Sequence, residues 1–166
     1  MKIDPLALRA ALGQYATGVA VVTTHDREGR PIGLTVNSFA SVSLDPPLVL
    51  WSLALNSARL PAFKACRYFA VNVLAADQVE LSNRFAMTGL VDKFVDIAWS
   101  PGLGGAPLLD VCCARFECRN EAQHEGGDHL IFIGRVERFD RDERPPLVFH
   151  GGGYCTRAEL ALPRKA

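Results

Sequence analysis

Apolar and polar positions alternate along much of the chain, and the alternation changes character at residues 33–47. Leu34, Val36, Ala40 and Val42 share one parity, whereas Thr35, Asn37, Ser41 and Ser43 share the other, with Phe39 among them. A period of two sends such sets to opposite faces of a strand. The polar set holds hydroxyls and an amide but no charge. It can therefore hydrogen-bond a neutral polar ring system, such as a flavin, without the cost of desolvating fixed charges. The pattern predicts one strand across this stretch, ended by Pro46-Pro47, because proline donates nothing to a ladder.

The flanking segments supply its neighbours. Asp4-Pro5 gives an N-cap and a first-position proline, and Leu8, Leu12 and Tyr15 recur at helical spacing, predicting a helix over 5–15 that closes near Gly18. Val19–Thr24 reads as a strand, with Asp26-Arg-Glu-Gly29 as the hairpin turn into the 33–47 stretch. Leu48–Leu53 begins a third strand. Asn56-Ser57 predicts the cap of a short helix through Leu60, Phe63 and Lys64, with Pro61 in its first turn. Tyr68–Leu74 is an apolar strand, and Asp77-Gln-Val-Glu80 predicts a capping box opening a helix through Arg84 and Phe85. Residues 87–107 are rich in Gly and Pro and predict a loop centred on Asp92-Lys93-Phe94.

Further on, Cys112, Ala114, Phe116 and Cys118 alternate with Cys113, Arg115, Glu117 and Arg119, a long strand with one wet face. Gly126-Gly127-Asp128 turns it into a strand over His129–Arg138, and Leu147–His150 predicts a last short strand before Gly151–Gly153. Many antiparallel strands with a few helices predict a mainly β fold, a closed or nearly closed barrel. A Rossmann arrangement is disfavoured, since no G-x-G-x-x-G lies between a strand and a helix.

Composition narrows the class. A chain of 166 residues fits one domain spanning 1–166, and 49% hydrophobic with 22% charged residues is a globular balance. Eighteen basic and 18 acidic residues cancel, which leaves no electrostatic footprint for nucleic acid or an anionic membrane. No apolar run approaches the ~20 residues of a membrane span, and the first residues lack a secretory core, so the expectation is a soluble, cytoplasmic protein. The five cysteines contain no CxxC, and the four histidines have no zinc spacing; the expectation is free thiols and no metal.

Four signatures, in order, carry a family resemblance. They are Gly33-Leu-Thr-Val-Asn-Ser-Phe39 with Ser41-Val-Ser-Leu-Asp-Pro-Pro47; Phe69-Ala-Val-Asn-Val-Leu74; Leu81-Ser-Asn-Arg-Phe85 with Asp92-Lys-Phe94; and Gly127-Asp-His-Leu-Ile-Phe-Ile-Gly-Arg-Val136 with Gly152-Gly-Tyr154. Their order and spacing, over about residues 8–155, resemble the short-chain flavin reductases that serve two-component monooxygenases, within the FMN-binding split-barrel superfamily. The resemblance implies an antiparallel split β-barrel of Greek-key type with a few flanking helices. It also implies a homodimer, NAD(P)H-dependent reduction of FMN or FAD, and delivery of reduced flavin to a partner monooxygenase.

Site roles follow from the same resemblance. The flavin pocket matches Gly33, Leu34, Thr35, Val36, Asn37 and Ser38, continued by Ser52, Leu53, Ala54 and Ser57 toward the ribityl chain and phosphate. Arg59, Arg84 of the Arg84-Phe85 pair, and Lys93 are the candidate phosphate contacts, guanidinium being suited to bidentate phosphate binding. His129 and Tyr154 are assigned to the reaction face. His129 orients the nicotinamide, and Tyr154 packs against either ring. The alternatives are a barrel that retains FMN as a prosthetic group without free-flavin reductase activity, and a flavin-free dimeric scaffold.

Overall fold

Residues 3–89 and 92–155 are described by a computed structural model; residues 90 and 91, inside the expected loop, lie outside the described residues. Asp4 starts the first element as its sequence predicts. Its carboxylate accepts hydrogen bonds from the amides of Leu6 (3.1 Å) and Ala7 (3.4 Å) at the head of α1 (Pro5–Leu12). The helix stops at Leu12, short of 15, with Gly13 as its C-cap.

The strands are β1 (Thr17–Gly18), β2 (Ala20–His25), β3 (Pro31–Val36), β4 (Ala40–Leu44), β5 (Pro47–Ala54), β6 (Tyr68–Val73), β7 (Trp99–Pro101), β8 (Pro107–Leu109), β9 (Ala114–Gly126), β10 (His129–Arg141), β11 (Val148–His150) and β12 (Gly153–Cys155). Two further helices, α2 (Leu60–Ala65) and α3 (Val79–Ala86), interrupt them. Seven strands form one antiparallel sheet in the order β3-β2-β6-β9-β10-β5-β4. No helix among the described residues is long and apolar enough to cross a membrane.

That order corrects the reading of 33–47 as a single strand. The stretch is two strands, β3 and β4, which occupy opposite edges of the sheet and are joined by residues 37–39 alone. Laid flat, six spacings of ~4.8 Å would separate those edges by about 29 Å. Three linking residues reach at most about 14 Å. The sheet must therefore curl until its edges nearly meet. Among the described residues no ladder joins β3 to β4, so the barrel is split along this line.

The curl encloses an aromatic core. Trp51 lies flat on Phe132, with centroids 4.5 Å apart and planes 10° apart, while Phe63 and Phe69 meet it edge-on. A second core lies outside the barrel wall, where Val21, Leu74, Phe85, Phe94 and Leu109 pack under α3 and the following loop. β2 is buried on both faces as a result, Ala20 and Val22 inward and Val21 outward, with Val19 just ahead of the strand also in the outer core. Buried Asn72 stitches the wall to the β7–β8 hairpin: its Nδ2 donates to the Val21 carbonyl, and its Oδ1 accepts from the Leu109 amide at 2.8 Å.

Both expected caps of the later helices differ. The Asp77–Glu80 capping box does not form; α3 starts at Val79, and Gln78 Oε1 instead accepts from the Ala75 amide at 2.8 Å. α2 begins after Arg59, and the Ser57 hydroxyl accepts from the Arg59 amide at 3.3 Å, a turn ahead of the helix and not its N-cap. Pro61 does sit in the first turn. Cys112 and Cys113 precede β9 and are not part of its alternation.

Candidate functional site

A shallow recess of about 240 Å³ opens where the two sheet edges approach each other. Its lining is Leu34, Thr35, Val36, Asn37, Ser38, Ser52, Leu53, Ala54 and His129. Each element places its share for a local reason. β3 carries Leu34–Val36 to its C-terminal end, where the connector begins. β5 runs antiparallel to β10 with Ala54 opposite His129 and Ser52 opposite Ile131. The two-residue turn at Gly127-Asp128, with Gly127 at φ 65°, then puts His129 at the barrel rim.

Among the described residues one side chain of the connector hydrogen-bonds to β5. Ser38 Oγ accepts from the Ser52 amide at 3.0 Å and lies 3.3 Å from the Ser52 carbonyl oxygen. Thr35 turns its hydroxyl to the Ser82 carbonyl at 2.7 Å, tying β3 to α3. Apart from His129, the lining carries no ionisable side chain. Hydroxyls, an amide, apolar side chains and strand backbone suit a neutral, planar, polar ring system better than a charged ligand.

The remaining expected site residues lie outside this lining. Gly33 packs against Phe85, whose ring is fully buried in the outer core and edge-on to Phe94 at 5.0 Å. Arg84 donates Nη2 to the Val95 carbonyl at 2.6 Å, and its Nε is buried with no partner among the described residues. Lys93 is buried and donates Nζ to the Phe85 carbonyl at 2.6 Å, a cation at the C-terminal end of α3, where the helix dipole favours it. Burial, and next the nearby Arg59 charge, hold the Lys93 ammonium below the ordinary lysine range. The Arg59 charge is thus felt at Lys93 although the two are 34 positions apart in sequence.

Tyr154 is engaged with α3. Its hydroxyl is 2.8 Å from Ser82 Oγ and donates to Asn83 Oδ1 at 3.1 Å, while its ring meets Phe149 edge-on. Ser57 sits in the turn from β5 to α2, its amide donating to the Ala54 carbonyl at 3.0 Å. One contact was missed by reading the sequence: Asp128 Oδ1 lies 2.7 Å from His129 Nδ1. The adjacency of the two residues in the turn was the available signal.

The fold is shared with known proteins. The flavin reductase like domain family matches residues 12–158, and the chain belongs to that family. It is 51% identical over 148 residues to an FMN reductase (NADH) of Agrobacterium fabrum, covering 89% of this chain and 83% of that protein. It is 42% identical to the reductase subunit of a flavin-dependent monooxygenase of Rhodococcus jostii, covering 92% of this chain and 77% of that one. A solved NADH:FAD oxidoreductase of Streptomyces globisporus, in complex with NAD and FAD fragments, superimposes with a TM-score of 0.86 at 39% identity, over 93% of this chain and 95% of that one. Some relatives are longer: the chain spans 49% of a probable flavin reductase of Rhizobium meliloti, to which it is 46% identical.

Proposed function

We propose that this protein is an oxidoreductase that transfers hydride from NADH or NADPH to FMN or FAD and supplies reduced flavin to a partner monooxygenase. The observation that carries the reading is the recess itself, in which uncharged β3 and β5 groups meet His129 at the open line of a split barrel. When bound, the flavin supplies the hydride acceptor. The residues of the chain bind and orient. The backbone and hydroxyls of Leu34–Ser38 and Ser52–Ala54 hold the ring, and donors there favour the negative charge of its reduced form. Ser57, Arg59, Arg84 and Lys93 are assigned to the phosphate side. His129 orients the nicotinamide, and Tyr154 braces the neighbouring wall through α3. The named activities of the relatives favour this reading over retention of FMN as a prosthetic group.

Assembly as a homodimer belongs to the same proposal. No residue of α1 is buried, and Leu6 (76%), Leu12 (67%) and nearby Tyr15 (80%) are exposed beside a groove of about 690 Å³ that Phe149 also lines. An apolar face of this kind calls for a covering surface.

The test is direct. Purified protein is mixed with NADH or NADPH, with and without FMN, FAD or riboflavin, and absorbance of the reduced nicotinamide is followed. Flavin-dependent oxidation is the expected result; its absence with every combination overturns the reading. His129→Ala should raise the KM for the nicotinamide while flavin binding stays intact. A large loss of flavin affinity would move His129 to the flavin pocket. Light scattering on the eluting peak of a sizing column tests the dimer.

A further inference from the structure

We propose that Asp128 is a positioning residue, whose carboxylate fixes His129 with its proton on Nδ1 and so presents Nε2 to the recess. The inference rests on the flavin reductase reading for its kinetic consequence, and on geometry alone for the state of the ring. Asp128 Oδ1 and His129 Nδ1 are 2.7 Å apart. An ionised carboxylate only accepts, so the shared proton sits on Nδ1. The Asp128 carboxyl is ionised at neutral pH as any exposed aspartate is, and the hydrogen bond from His129, and then its charge, hold it further below the usual carboxylate range. With Nδ1 engaged, Nε2 has no partner among the described residues and is the ring nitrogen left for a ligand. As a lone-pair acceptor it recognises an amide N–H or a hydroxyl, the groups a nicotinamide riboside offers. A carboxylate that sets the tautomer of a working imidazole acts through orientation.

The pair is not needed to hold the turn. The Asp128 side chain is 95% exposed and that of His129 44%, and pairs so exposed add little stability. The turn is secured by backbone: the Leu55 amide donates to the Asp128 carbonyl at 2.9 Å, and His129 pairs with both Gly126 and Ala54. Removing the carboxylate leaves these bonds in place.

The experiment uses Asp128→Ala and Asp128→Asn in the full chain, with ¹⁵N-labelled histidine and steady-state kinetics. In the wild type, the His129 resonances, assigned with a His129→Gln variant, should report the Nδ1–H tautomer. Asp128→Ala should shift the ring toward the other tautomer and raise the KM for NADH about tenfold. Flavin affinity, kcat and Tm should stay near wild type. Asp128→Asn keeps an acceptor oxygen and should recover most of the loss. An Nε2–H tautomer in the wild type, or one unmoved by Asp128→Ala, overturns the proposal. So does a shifted tautomer with unchanged KM, or an equal loss in both variants accompanied by a lower Tm. A wild type that oxidises no nicotinamide with any flavin refutes the reductase reading instead, and the tautomer result still decides the role of Asp128.

Discussion

A Cβ placed on Gly33 would stand 2.8 Å from Cε1 of Phe85 and 3.2 Å from Cγ2 of Thr23. β3 lies this close to the outer core because Thr35 is also drawn to the Ser82 carbonyl of α3. The Phe85 ring is fully buried and held edge-on by Phe94, so it has no room to swing aside. Gly33→Ala should cost about 1–3 kcal/mol and lower Tm by roughly 3–10 °C. A thermal melt followed by circular dichroism checks this, and an unchanged Tm would show that the ring gives way.

Ser38 is the one side chain bonding the connector to β5 among the described contacts. Ser38→Ala should cost about 1 kcal/mol of stability. It should weaken flavin binding several-fold by slackening the recess wall, whereas Ser38→Thr keeps the hydroxyl and most of the affinity. Quenching of flavin fluorescence measures both. Equal affinities in all three proteins would show that the connector does not shape the site.

The buried thiols should be inert. Burial pushes Cys112 and Cys118 up to about 12. At pH 8 only about one in ten thousand of each is thiolate, and alkylation requires the thiolate. Iodoacetamide at that pH should leave both unmodified in the folded protein and modify both in denaturant, as read by peptide mass. The sign of the linkage follows. Above the ordinary thiol range the folded chain retains protons that the unfolded chain has lost, so stability falls as pH rises through that range toward 12.

Val111 has φ 65°, a left-handed conformation that a β-branched residue resists, and is 51% exposed. Val111→Gly relieves the strain and loses little burial. After the extra chain entropy of glycine is subtracted, a gain of about 0.5–1 kcal/mol is expected, or about 2–4 °C in Tm. A lower Tm would mean that the Val111 side chain contributes packing worth more than the strain.

Local chemistry was legible where it acts within a few residues. Asp4 caps as its position predicts, and Gly127-Asp128 turns β9 into β10 where the glycines predict a turn. All the recess-lining residues belong to the segments singled out from their sequence. What escaped is decided at a distance. The polar and apolar parities of 33–47 look continuous, yet β3 and β4 pair with β2 and β5 at opposite edges, a choice that no local period encodes. The Asp77–Glu80 pattern was outcompeted by the Gln78 side chain, which satisfies the Ala75 amide and donates to the Asp110 carbonyl at 3.2 Å. Lys93, charged and in a loop, carried no local sign of burial; that burial depends on where α3 ends.

The unpaired line between β3 and β4 has a consequence for where the barrel wall can open. Elsewhere, widening the barrel means unzipping a ladder of backbone bonds. Along this line there is no ladder to unzip: among the described residues the hydrogen bonds across it are the two of Ser38, beside the packing of Phe39 on Phe116 and the short chain link of residues 37–39. The line is thus the place where the wall can give locally while the paired strands hold, with the short link limiting how far the edges part.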